Sequence, residues 1–288
     1  MGGESSARVA LIPGGEFAMG AGGVYPEEQP MRRTTVSDVF FDTHPVTNKE
    51  FARFVEATAY ITVAESHTDN AGRGSMVFQP TEGPVDLRDW RQWWIWMSGA
   101  CWREPSGPGS TIEGLEDHPV VHIAYADALS FARWAGKRLP TEAEFEYAAC
   151  GGAVPDPYAW GDERDPGGTF MANTWRGSFP YLNTAADGWE RTSPVGAFPV
   201  NGYGLYDMIG NVWEWTNSPY SPSHATPPTT CSCSPSADSA TASMRVLKGG
   251  SHLCAPEYCL RYRPAARSPQ AENTSSSHIG FRCVTDAV

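Results

Sequence analysis

The chain has 288 residues, 41% of them hydrophobic, with 29 Gly, 24 Pro and a formal net charge of −12. That apolar content demands a core and excludes a disordered chain, while the Gly and Pro content points to turns and irregular backbone rather than a helix bundle. The acidic balance without a basic face excludes nucleic acid as a partner, and no apolar run approaches the ~18 residues of a membrane span. The N-terminus shows no cationic stretch followed by an apolar one, so no export signal is read there and the cytoplasm is the expected compartment. In that compartment seven cysteines do not form a disulfide framework, and their odd number leaves a thiol unpaired.

In chain order, residues 1–8 read as a tail and 9–288 as one domain. "ARVALI" and "EFAMG" flank the Gly14–Gly15 turn as strands, and "TTVSDVFFDTHPV" continues the strand signal. "TNKEFARFVEAT" opens with Thr47 and carries Glu50 three residues later, a capping box that predicts a helix over 47–58. "VVHIAY" reads as a strand. "YADALSFARWAGK" places Leu129, Phe131, Ala132 and Trp134 on one stripe and predicts a helix over 125–135 that Gly136 stops. Thr141 and Glu144 in "TEAEFEYAAC" repeat the capping box for a helix over 141–150. Residues 151–245 show little periodicity, and 218–243, rich in Ser, Thr and Pro, reads as a long surface loop. "MRVLKGGS" and "GFRCV" are the last strand signals. They are scattered from end to end, so the sheets must join distant parts of one domain.

"KGGSHLCAPEYCLRYR", residues 248–263, sets Cys254 and Cys259 four residues apart. Pro256 argues against a helix, so the pair sits in a strand leading into a tight loop. Two buried thiols or a loop disulfide would explain the spacing. Zinc would need further ligands at familiar spacing, and only Cys231–Cys233 in the 218–243 loop offer themselves. Two thiolates without imidazole or carboxylate make a soft site suited to Cu(I), or a reactive redox pair. Arg261 and Arg263 would depress the thiol pKa values if their guanidinium groups lie close.

The stretch "RVLKGGSHLCAPEYCLRYRPAARS", followed by "HIGFRC", resembles the C-terminal signature of the formylglycine-generating enzymes, the sulfatase-modifying factors. So do "IPGGEFAMG", "HPVTNKEFARFV", "HPVVHIAY", "RLPTEAEFEYAACGG" and "PVNGYGLYDMIGNVWEW", collinear from about residue 9 to residue 285. The paired cysteines discriminate this family from the wider superfamily. The resemblance implies a single compact α+β domain with the sulfatase-modifying-factor, C-type-lectin-like architecture. It implies an O2-dependent oxidase that converts the cysteine of a Cys-x-Pro-x-Arg segment in an unfolded or nascent sulfatase to Cα-formylglycine, acting as a monomer. Cys254 and Cys259 would bind Cu(I) and accept the substrate thiolate as a third ligand. Ser251 matches the family's active-site serine. His278 stands where many relatives carry Asn, and imidazole titrates near neutral pH.

The same resemblance implies two structural Ca2+ sites, built from the side chains of Asn173 and Asp187 with the carbonyls of Thr174 and Trp189, and from Asp207 and Glu214 with the carbonyls of Gly210 and Val212. Oxygen donors of this kind suit calcium. Exported relatives link the end of the 141–150 helix to the last cysteine. Cys283 matches but Cys150 is displaced by one position, so that bridge is not expected here. "DLRDWRQWWIWMSGACWRE" carries five tryptophans that either wall a peptide groove or line the core, with Cys101 as a small buried residue. Two rivals stand beside the oxidase. A non-catalytic binding module would not need the cysteine pair, and an iron-dependent sulfoxide synthase would need a further helical domain to supply histidines.

Overall fold

Three capped helices and a set of short sheets, described for residues 9–66, 72–225 and 243–287, make up the computed structural model of this chain. Helix α1 spans Asn48–Thr58, α2 Tyr125–Trp134 and α3 Glu142–Cys150. Both capping boxes form. The Glu50 and Glu144 N–H groups each donate to a threonine hydroxyl at 3.2 Å, and each glutamate reaches back to the threonine N–H. Gly151 ends α3 in the left-handed region at φ 62°, which a glycine adopts without steric penalty.

The chain ends are tied together. Strand Val39–Asp42 pairs antiparallel with Val9–Ile12 on one side and Val284–Asp286 on the other. A second sheet has the order Ser268–Ala271, Met244–Lys248, Trp213–Pro219 and Ile279–Gly280, with the last pair parallel. Hairpins pair Gly15–Met19 with Arg32–Val36 and Gly74–Phe78 with Trp94–Ser98. Between sheets and helices lies an aromatic core in which Phe51 contacts Phe54, Trp102, Phe131 and Phe281. Burial of each such ring contributes roughly 1.5–3 kcal/mol. Among the described residues no helix is long and apolar enough to cross a membrane.

Three expectations need correction. "VVHIAY" forms no strand, because His122 adopts φ 61° and its N–H bonds the Ser276 carbonyl outside any ladder. "GFRCV" is split into two short strands around Arg282, which is drawn inward to Glu214. The surface loop begins later than residue 218: Ser218 and Pro219 complete a strand and Ser221 is buried. Residues 226–242, with Cys231 and Cys233, and residues 1–8 lie outside the described residues.

Candidate active site

Strand Met244–Lys248 delivers the chain into Gly249 and Gly250, both at positive φ. A Cβ on Gly250 would meet the Arg261 carbonyl at 2.7 Å, so the turn requires glycine. Beyond it the backbone curls. The Cys259 N–H donates to the Ala255 carbonyl at 2.7 Å and the Cys254 N–H to the Ser251 carbonyl at 2.9 Å. This curl brings the Cys254 and Cys259 sulfurs to 2.9 Å from each other. Both are buried and reduced, as are Cys101, Cys150 and Cys283, so no Cys150–Cys283 bridge exists.

The pair is electrically unequal. Burial and the neighbouring sulfur push the Cys254 thiol well up. The hydrogen bond from Cys254 brings Cys259 down to about 7, helped by the Arg261 guanidinium. The pair therefore gives up its first proton far more readily than its second. Arg261 is held for this by Glu27, 2.7 Å from its Nη2, and by the Tyr25 ring 4.0 Å beneath it. Tyr25 also accepts the Leu260 N–H at 3.0 Å. Arg263 does not join. It turns to the buried Glu28, with Nη2 2.5 Å from Oε1, which corrects the expectation that both arginines serve the thiols.

The sulfurs open into a cavity of about 190 Å3. Ser251 lines it, and its N–H points at the Cys254 sulfur, 3.5 Å away. His278 lines the same cavity, bonded to Ser276 at 3.0 Å and lying 4.6 Å from the Trp94 ring centroid. Desolvation, then repulsion from His252 and His122, pushes the His278 imidazole well below its usual range. An imidazole pushed down in this way stays neutral and can offer a hydrogen bond as an Asn would. The remaining wall is aromatic. Trp93 meets Tyr258 edge-on at 5.2 Å, and Phe179 stacks on Tyr258 at 4.6 Å. Of the five tryptophans, Trp93 and Trp94 wall the cavity, Trp102 is core, and Trp90 and Trp96 are exposed.

Two soft sulfur donors that no third His, Cys, Asp or Glu among the described residues joins are a donor set that Cu(I) prefers over harder divalent ions. Among the described residues no group of three or more His, Cys, Asp or Glu side chains is placed to hold a metal. The oxygen sets are therefore judged one at a time. Asp207 and Glu214 are brought together by Arg282, which donates to the Asp207 carbonyl at 3.1 Å and to both Glu214 carboxylate oxygens at 2.8 Å. Asp207 Oδ2 accepts from Gly196, yet its buried Oδ1 has no partner. An orphaned buried carboxylate oxygen whose charge also acts on the neighbouring Glu214 fits a cation. Asn173, Thr174, Asp187 and Trp189 lie on facing loops, but the Asp187 carboxylate accepts from Arg176 and from the Trp189 N–H, and Arg164, bonded to the Thr174 hydroxyl, brings a second guanidinium to the set. That set does not fit an added cation. Sequence reasoning missed Tyr25, Glu27, Phe179 and Tyr258 at this site. Tyr258 sits inside the cysteine loop beside Cys259, whereas Tyr25, Glu27 and Phe179 carry no local signal, since each meets that loop from a distant part of the chain.

Residues 3–287 match the Sulfatase-modifying factor enzyme 1-like domain. The chain is 58% identical over 292 residues to the Formylglycine-generating enzyme of Mycobacterium tuberculosis strain H37Rv, covering 96% of this chain and 97% of that protein. It is 47% identical over 281 residues to the Formylglycine-generating enzyme of Streptomyces coelicolor, covering 96% and 88%. Among solved structures it is similar to PvdO from Pseudomonas aeruginosa, with a TM-score of 0.64 at 24% identity over 97% of this chain and 94% of that one. At that identity the likeness speaks for the fold, and the single α+β domain with few helices and mixed small sheets is the architecture expected from the sequence.

Proposed function

The chain belongs to the sulfatase-modifying factor enzyme 1-like family, and from that premise we propose that it is a formylglycine-generating oxidase. Its substrate is the cysteine of a Cys-x-Pro-x-Arg segment in an unfolded or newly made sulfatase, its oxidant is O2 and its cofactor is Cu(I). The observation that carries the reading is the convergence of two reduced, buried sulfurs on one cavity, in a chain so close to enzymes of that name.

Cys254 and Cys259 would hold copper, and copper would supply the one-electron chemistry with O2 that no side chain here offers. The protein supplies the rest. The Ser251 N–H fixes the Cys254 sulfur, and Arg261, clamped by Glu27 and Tyr25, favours negative charge on Cys259. The cavity leaves room for a visiting third sulfur, and its aromatic wall excludes water while that sulfur is bound. Neutral His278 offers a hydrogen bond without adding charge. O2 takes two hydrogens from the substrate Cβ–SH group, one from carbon and one from sulfur, and two electrons with two protons from an external reductant, leaving as two waters. The thioaldehyde then takes up water and releases hydrogen sulfide to leave the aldehyde.

Ca2+ at the Asp207–Glu214 set would be structural. Free thiols throughout the described residues suit a reducing compartment, in line with a cytoplasmic monomer. The test is mass spectrometry of a Cys-x-Pro-x-Arg peptide incubated with copper-loaded protein, a reductant and air. Conversion yields a carbonyl that a hydrazide traps, and it disappears in Cys254→Ser and Cys259→Ser. An unchanged peptide would leave a non-catalytic binding module instead.

A further inference from the structure

The two oxygen-donor sets differ in charge. Arg176, only 6% exposed, lies between two carboxylates, with Nη1 2.6 Å from Asp165 and Nε 3.3 Å from Asp187. Its Nη2 donates to the Ala172 carbonyl at 3.0 Å, and the Phe170 ring covers the guanidinium at 4.4 Å. Arg164 brings a second guanidinium, 3.6 Å from Asp165 and bonded at 2.8 Å to the Thr174 hydroxyl and the Trp175 carbonyl. Two carboxylates thus face two permanent cations. Asn173 turns its amide N–H2 toward the Arg191 carbonyl, 2.9 Å away. A calcium ion on Asp187, bonded at the usual ~2.5 Å, would come within ~6 Å of the Arg176 guanidinium with no carboxylate left to compensate it.

At the other set the balance is open. Two carboxylates face one guanidinium among the described residues: Arg282 bonds both Glu214 carboxylate oxygens but, of Asp207, only the backbone carbonyl, and Asp207 Oδ1 is buried without a partner. Resting on the ion proposed above for Asp207–Glu214, we infer that Arg176 occupies the role of a second ion at Asn173–Asp187, so that this chain binds one calcium ion and not two. The set that the resemblance assigns to a metal is here closed by a residue the chain carries itself.

The test counts metal and does not depend on copper or turnover. Full-length protein is stripped with a chelator, re-equilibrated with micromolar Ca2+, separated from free ion and analysed by mass spectrometry of the metal. Wild type is expected to retain one equivalent, Asp207→Ala none, Arg176→Lys one and Arg176→Gln two. A wild-type count of two or of zero overturns the inference by itself, even if Arg176→Gln fails to fold. A folded Arg176→Gln protein that stays at one equivalent also overturns it.

Discussion

Replacing Lys248 with Met should strand the buried carboxylate of Glu146 in the core, beside Cys150. Lys248 is fully buried with its Nζ 2.7 Å from Glu146 Oε2, and Glu146 is 2% exposed. At that separation and an effective dielectric of ~20 the attraction is about 6 kcal/mol. Desolvation of the two ions costs several kcal/mol each, so the pair adds little net stability, whereas loss of one partner costs about 3–5 kcal/mol. Glu146 keeps a hydrogen bond from the Gly20 N–H, which places the expected loss toward the lower end. Equilibrium urea unfolding of K248M is predicted to show a loss of about 3 kcal/mol at unchanged slope. The double variant K248M/E146L should recover most of it, because no unpaired buried charge remains: the nearby Glu142 keeps Arg267. A loss below ~1 kcal/mol in the single variant, or a double variant no more stable than the single, would refute the argument.

Metal-free protein should react with iodoacetamide at Cys259 with a midpoint near pH 7, the rate rising with pH as the thiolate forms. In Arg261→Leu that midpoint should move up, and an unmoved midpoint would remove Arg261 from the account. Burial raises Asp127 to about 6, above the ~3.9 of an unfolded chain. The folded state therefore holds this proton more tightly, and the associated stability is present below pH ~4 and lost as pH rises through 6. The gap is about 2–3 kcal/mol, so unfolding of wild type minus Asp127→Asn should fall by that order between pH 4 and 7, and a flat difference would contradict it. Because His278 is held neutral, His278→Asn should leave the pH profile of peptide conversion between 6 and 9 unchanged. A profile that moves would show that the imidazole titrates in the reaction.

The helices were legible because their signals are local: Thr47 with Glu50 and Thr141 with Glu144 satisfy free N–H groups within one turn. The cysteine loop was legible from its glycines, its proline and its spacing. The strand Trp213–Pro219 was not, since residues 213–216 are all buried, and a strand covered on both faces shows no alternation. "VVHIAY" misled for the opposite reason. Its apolar run is core, but His122 bends the backbone out of any ladder to bond Ser75 and Pro105. The clamp on Arg261 comes from Tyr25 and Glu27, more than 230 residues upstream, a separation that no local pattern spans. Arg176 shows the limit of carrying ligands over by position. The oxygen donors came from the resemblance alone, while the Arg176 guanidinium between Asp165 and Asp187 became visible only in three dimensions.

Anaerobic titration of the reduced protein with Cu(I), against a chelator of known affinity, addresses the dithiol centre most directly. One ion per chain should be withdrawn from the chelator, and Cys254→Ser and Cys259→Ser should each abolish the uptake. No uptake by the native chain, or uptake that survives both substitutions, would contradict a copper centre at these two sulfurs.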